Sequence, residues 1–274
     1  MVTYHELLAL KQMGPCQVVT IDNDRLSPFE QDRQILTKIK ELTNSYFARR
    51  LHIVHCYAGC LTESVAFVKA LGARVTSTAA AHSIDSSRKE HEKLGVPFNY
   101  LHLTDPQLWS QYVGGYLAAD MVICPSQHSM ACMVGYGAEH VTVIPHGVDL
   151  PEHIQPLPKR FIGGYLGAYG PDKGVVYLLC AWKEASLPDA SLVLAGRDST
   201  SDWIRHLVQR YGGNNIHLAG WVNNTSDFYN AISLYIQPSI TEGFGCEVLE
   251  AMAHGRPVLC SDGAGAVDTV PEGW

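Results

Sequence analysis

Long apolar runs, blocks of like charge and closely paired cysteines are largely missing from this sequence, and each absence removes a class of function. No stretch approaches the roughly 20 apolar residues that a membrane-spanning helix needs, and the opening MVTYHELLALKQMG lacks the basic-then-apolar pattern of a secretory leader. The expectation is a cytoplasmic protein without a transmembrane segment, open to peripheral membrane contact. Lys and Arg number 20 against 27 Asp and Glu, a formal charge of -7 with no basic stripe, so there is no electrostatic footprint for a phosphate backbone and nucleic acid is excluded as a partner. Of 8 cysteines only Cys56 and Cys60 lie close together, which is reduced usage rather than a disulfide framework. His52 and His55 beside them would point to opposite faces of a strand, so no zinc site is expected there. There is no Walker loop, no G-x-G-x-x-G fingerprint, no HExxH and no G-x-S-x-G elbow.

What is present is enough apolar material for a core: 46% of 274 residues are hydrophobic and 17% charged, a length that suits two domains. Short β-branched runs alternate with helical patterns along the whole chain, the signature of βα units and parallel sheets. In the first half the patterns predict helices near 4–13, 29–49, 62–71, 108–119 and 129–136, with strands at 17–21, 52–55, 74–78, 121–124 and 141–144. In the second half they predict strands at 161–166, 191–195, 216–219, 233–238 and 257–260 and helices at 174–185, 202–211, 226–231 and 245–254. The stretch from Pro145 to Pro158 holds four prolines and no period, and marks a boundary and hinge. The expected domains are therefore 1–150 and 151–274, each an open α/β sheet whose ligands belong at the carboxyl ends of the strands.

The richest segment runs from Ser233 to Cys260 and reads as strand, glycine-bearing loop, helix, glycine stop and strand. Gly243 and Gly245 flank Phe244 at the helix entry, where unobstructed backbone and unpaired amide N–H groups suit a phosphate. Glu250, a turn further along, can offer its carboxylate to a ribose diol, and Glu242 precedes the helix in the strand-end loop. The pair Glu242-x7-Glu250 around an anion site is thus arranged to grip a nucleotide-sugar.

The string E-G-F-G-x-x-x-L-E-A-M-A-x-G-x-P-V resembles the E-x7-E signature of retaining glycosyltransferases of the GT-B fold, glycosyltransferase family 4. Gly167-x5-Lys173-Gly174 is similar to the family's strand–loop–helix, in which the lysine meets the donor diphosphate. Thr78-Ala-Ala-Ala-His82 resembles the segment whose histidine faces the donor sugar. Val143–Asp149 and Ala119–Ser126 resemble the end of the first domain, and Leu194–Asp198 and Ala219–Val222 the strand ends around the nucleotide. The resemblance implies two facing Rossmann-like domains and a metal-independent transfer. Glu242, His82 and Lys173 would be catalytic, and Gly243, Phe244, Gly245, Glu250, Arg197, Val222 and Gly167 would hold the donor. No metal site and no cofactor are implied; the donor is a substrate, with UDP or GDP as its carrier, and the acceptor is not specified.

Three departures carry consequences. Ala168 stands where the family has an arginine, so Arg197 is the candidate second cation for the diphosphate. The opening strand and glycine-rich loop have no visible equivalent, and the chain stops soon after the strand at 257–260. An incomplete first sheet predicts self-association or low stability. Asp22-Asn23-Asp24 also fits a D-x-D pattern for a divalent cation, although these residues are ordinary turn-formers. The alternatives to a transferase are a nucleotide-sugar epimerase or glycan phosphorylase on the same architecture, or a binding protein that needs a partner.

Overall fold

The computed structural model describes residues 28–43, 53–57, 62–98, 106–197, 201–213 and 215–270. The expected helix at 4–13, the strand at 17–21, the Asp22–Asp24 turn, His52, Cys60 and Asp198 lie outside them. Among the described residues no helix is long and apolar enough to cross a membrane. The described residues fall into two compact units, the first drawn from Met1–Ala80, Asn99–Pro125 and Met130–His146 and the second from Ala81–Phe98, Ser126–Ser129 and Gly147–Trp274. Division by sequence at 150 puts residues 81–98 and 126–129 in the first domain; by their contacts they belong to the second unit.

The first unit carries a parallel sheet in the order β1-β2-β3-β4, formed by Ile53–Tyr57 (β1), Arg74–Thr78 (β2), Met121–Cys124 (β3) and Val141–Val143 (β4). Helices Pro28–Thr43 (α1), Thr62–Ala70 (α2), Pro106–Leu117 (α4) and most of Gln127–Gly135 (α5) accompany it. Val65, Val68, Ala73 and Val75 form a buried cluster, with Ile35 and Ile39 of α1 and Val54 of β1 packed on it. Asp120 accepts a hydrogen bond from the Val75 N–H at 2.8 Å and pairs with Lys69 at 3.0 Å, tying the start of β3 to β2 and α2.

The second unit has a five-stranded parallel sheet in the order β7-β6-β5-β8-β9. Its strands are Ile162–Leu166 (β5), Ser191–Ala195 (β6), Ile216–Gly220 (β7), Leu234–Gln237 (β8) and Val258–Cys260 (β9). Between them run Val175–Ala185 (α6), Asp202–Tyr211 (α7), Thr225–Ala231 (α8) and Cys246–Ala253 (α9), with 3₁₀ turns at Pro171–Lys173 and Gly265–Thr269. The pleat sends successive residues to opposite faces. Tyr165 enters a core with Leu179, Trp182, Leu192, Leu194 and Ile204, while Leu166 enters another with Tyr229, Ile232, Tyr235, Phe244 and Val248. Strand order reverses between β5 and β8, so the loops after these two strands open the crevice in which α/β sheets bind ligands.

The helix expected from 29 to 49 is seen as Pro28–Thr43, and the rest of its expected span lies outside the described residues. A helix at Ile84–Leu94 (α3) was not expected, because its buried face is Ile84, Ser87 and His91 and so shows almost no apolar period. Its boundary signals were present: Ser83 caps it by accepting from the Ser86 N–H, and Gly95 ends it in the left-handed region. The proline-rich stretch expected as a hinge is fastened near its downstream end, where buried Arg256 donates to the Gln155 carbonyl at 2.7 Å.

Candidate functional site

The loops after β5 and β8 are joined by main-chain atoms. The Asp172 carbonyl accepts from the Ile240 N–H at 2.8 Å and lies 3.5 Å from the Thr241 nitrogen. Gly174 has φ +70°, and a Cβ there would lie 1.9 Å from the Pro238 carbonyl oxygen, so any side chain would push the two loops apart. The result is a contact between the expected catalytic pair: Lys173 Nζ donates to Glu242 Oε2 at 2.5 Å, with the Asp172 carboxylate 4.0 Å away. Burial works to lower the Lys173 pKa, but the charge and hydrogen bond of Glu242, helped by Asp172, outweigh it and the value rises.

Glu242 is held on both sides, its N–H donating to the Gly263 carbonyl and its carbonyl accepting from the Gly265 N–H. Gly243 accepts a 2.7 Å bond from buried Ser126 Oγ. The Phe244 side chain is 2% exposed within the second core, so it anchors the loop and only its main chain is left to face a ligand. Gly245 begins α9 with φ +90°, a conformation that favours glycine, and offers no side chain to cap the first turn. One turn on, Glu250 accepts from the hydroxyl of buried Tyr229 at 2.9 Å.

His82 joins this group. Ala81 N–H donates to Ser129 Oγ and Ser83 N–H to Thr241 Oγ1, both at 2.8 Å, so the residues on either side of His82 are pinned. Burial, then Lys173, holds its imidazole below the usual histidine range, with Asp172 and Glu242 pulling upward and His128 adding to the fall. A mostly neutral ring at neutral pH follows.

The remaining expected residues sit at neighbouring strand ends. Gly167 N–H donates to the Ala195 carbonyl at 3.1 Å, and Gly196 N–H to the Gly220 carbonyl at 2.9 Å, which sets the ends of β5, β6 and β7 side by side. Arg197 follows there and is exposed, and Val222 packs partly against the second core. Reasoning from sequence missed Thr241, Ser126, Ser129 and Tyr229, whose parts depend on partners 21 to 158 residues away. It also passed over Glu247, whose carboxyl is pushed up to about 7 by burial, with Glu242 and Glu250 adding to the rise against its own N–H and Lys173. Among the described residues no cluster of three or more His, Cys, Asp or Glu is arranged to hold a metal ion.

Among relatives, an uncharacterized glycosyltransferase of Methanocaldococcus jannaschii is 31% identical over 110 residues, 39% of this chain and 28% of that protein. The chain therefore aligns with less than a third of that relative's length. Among solved structures, sucrose-phosphate synthase from Thermosynechococcus elongatus gives a TM-score of 0.67 at 23% identity, covering 95% of this chain and 66% of that one. Anabaena HepE in complex with UDP and glucose gives 0.62 at 18% identity, covering 98% and 73%. These likenesses show the α/β fold of GT-B type. Residues 151–273 match the model of glycosyl transferases group 1 and residues 7–152 that of Glycosyltransferase Family 4. Between them these two matches account for nearly the whole sequence, and the chain belongs to glycosyltransferase family 4.

Proposed function

We propose that this chain transfers a sugar from a nucleotide-sugar to an acceptor with retention of anomeric configuration. The observation that carries the reading is the Lys173–Glu242 contact beside the uncapped start of α9, at the point where the strand order of the sheet reverses. A donor diphosphate set on the first-turn N–H groups of α9 would draw Lys173 away from Glu242, because a diphosphate carries more charge than one carboxylate. Lys173 and the amides then stabilise the leaving group as its charge develops. Glu242, relieved of the lysine, turns to the sugar and stabilises positive charge at the anomeric carbon. Glu250, oriented by Tyr229, takes the ribose hydroxyls, and His82 faces the sugar as a hydrogen-bonding neutral ring. Among these residues none is set as a nucleophile, so the acceptor attacks from the face the leaving group departs and the leaving phosphate takes its proton. Leaving-group charge falls in this scheme to Lys173, the amides and Arg197 rather than to an ion.

The solved HepE complex contains UDP, and UDP or GDP is the carrier proposed here. The acceptor is a glycan, a lipid or a small molecule, and the reaction is placed in the cytoplasm. Thermal stability measured against UDP, GDP, ADP and dTDP and their sugar conjugates tests the reading. A ligand at about 100 times its dissociation constant stabilises by about 2.7 kcal/mol, a rise of about 5–10 °C in a chain of this size. A shift for one base, reduced in Glu250→Ala, supports the donor site; no shift with any of them overturns it.

A further inference from the structure

Three buried hydroxyls join the His82 segment to the Glu242 loop in a closed circuit. Ser126 Oγ donates to the Gly243 carbonyl at 2.7 Å and accepts from the Ser129 N–H at 2.9 Å, as a capping serine does at a helix start. Ser129 Oγ accepts from the Ala81 N–H at 2.8 Å. On the other side of His82, the Ser83 N–H donates to Thr241 Oγ1, also at 2.8 Å, and the main chain from Thr241 through Glu242 to Gly243 closes the ring. His82 and Glu242 are the middle residues of the two main-chain spans within it, and none of these bonds uses the side chain of either. Ser126, Ser129 and Thr241 are each 0% exposed, so water does not compete for the bonds they make. Thr241 reaches furthest: its Oγ1 also lies 3.0 Å from His128 Nε2, and its main-chain nitrogen is 3.5 Å from the Asp172 carbonyl, next to Lys173.

We propose that this ring of hydroxyls fixes the spacing of His82 from Glu242 around the donor sugar, with Thr241 as its principal positioning residue. The inference rests on the proposed donor site. Diphosphate and ribose are held elsewhere, by Lys173, the start of α9 and Glu250, so opening the ring weakens the grip on the sugar and leaves the grip on the nucleotide. Two groups that must meet one sugar gain from being placed before it arrives, since ordering them then costs nothing at binding.

The test is calorimetric affinity for UDP, UDP-glucose, UDP-N-acetylglucosamine, GDP and GDP-mannose, read as the ratio of sugar conjugate to bare nucleotide. Thr241→Val removes the acceptor at nearly constant shape. It should lower that ratio about tenfold, the worth of one hydrogen bond, with affinity for the bare nucleotide unchanged. Thr241→Ser keeps the hydroxyl and should restore the ratio. Ser129→Ala opens the other arm of the ring and should lower the ratio likewise, so the test stands if one variant does not fold. On His82→Ala, which should lower the ratio by itself, Thr241→Val should add nothing, because its effect passes through His82. Equal loss of nucleotide and conjugate affinity in Thr241→Val, an unchanged ratio in Thr241→Val or His82→Ala, failure of serine to restore it, or a further fall on His82→Ala overturns the inference alone. So does a wild type that binds a bare nucleotide and none of its conjugates. A wild type that binds none of these ligands overturns the donor site and this inference with it.

Discussion

Each unit contains a lysine–carboxylate pair near the end of its sheet, and the two pairs are built to opposite ends. Lys69 and Asp120 in the first unit each have a second partner in the protein: the lysine also donates to the Ala118 carbonyl and the aspartate also accepts from Val75. The Val75 N–H, and then Lys69, hold the Asp120 carboxyl below its usual range, and both side chains remain about a third or more exposed. Lys173 and Glu242 in the second unit are less exposed, and what fastens them is not their own contact but the main chain beneath, through Asp172, Ile240, Gly263 and Gly265. A pair that ties elements together has its partners set by the fold. A pair whose backbone is already fixed is free to exchange partners.

The sharpest way to break this contrast is Lys173→Ala. On the transfer reading it should lower kcat/KM by about 10²–10³, the range found when one donor to a developing anion is lost, while the melting temperature moves by no more than a few degrees. A large fall in melting temperature with turnover intact would make the pair structural and erase the difference. Gly174→Ala attacks the backbone instead. It adds a Cβ 1.9 Å from a carbonyl oxygen at a positive φ, and a loss of about 2–4 kcal/mol is expected by denaturant unfolding, with nucleotide binding weakened as well.

Asp120→Ala should cost about 1–2 kcal/mol through the N–H it leaves unpaired, and Lys69→Ala less than about 1 kcal/mol, neither changing kcat per folded molecule. The pH dependence separates the two pairs further. A carboxyl whose folded pKa is depressed contributes stability above its unfolded value, about 3.9, which is lost as pH falls through the folded one. The gap between wild type and Asp120→Asn should therefore narrow only in acid. Lys173, raised in the fold, contributes fully below its unfolded value of about 10.4 and loses that contribution as pH rises through the folded one. The gap between wild type and Lys173→Gln should close only in strong alkali. Urea unfolding across pH checks both.

The strands of the second sheet and the helices between them were legible because apolar period and glycine punctuation agree there; β6 and α7 fall on their expected residues. Lys173, Gly174, Glu242 and Glu250 stand out in the sequence because they lie in two short segments that resemble a family signature, and the fold brings Lys173 and Glu242 into contact. Helix α3 was not legible, since Ser87 and His91 on its buried face break the apolar pattern. Nor was the pinning of His82, which depends on Thr241, 158 residues from Ser83. Nor was the raised carboxyl of Glu247, which depends first on burial in the folded chain.

The bond from the Ile240 N–H to the Asp172 carbonyl uses no side chain at all. Substitution around it can reshape the walls of the crevice without moving the two loops, provided Gly174 stays. A scaffold of this kind lets preference for one sugar or acceptor drift in descendants while the spacing of ammonium and carboxylate is inherited unchanged.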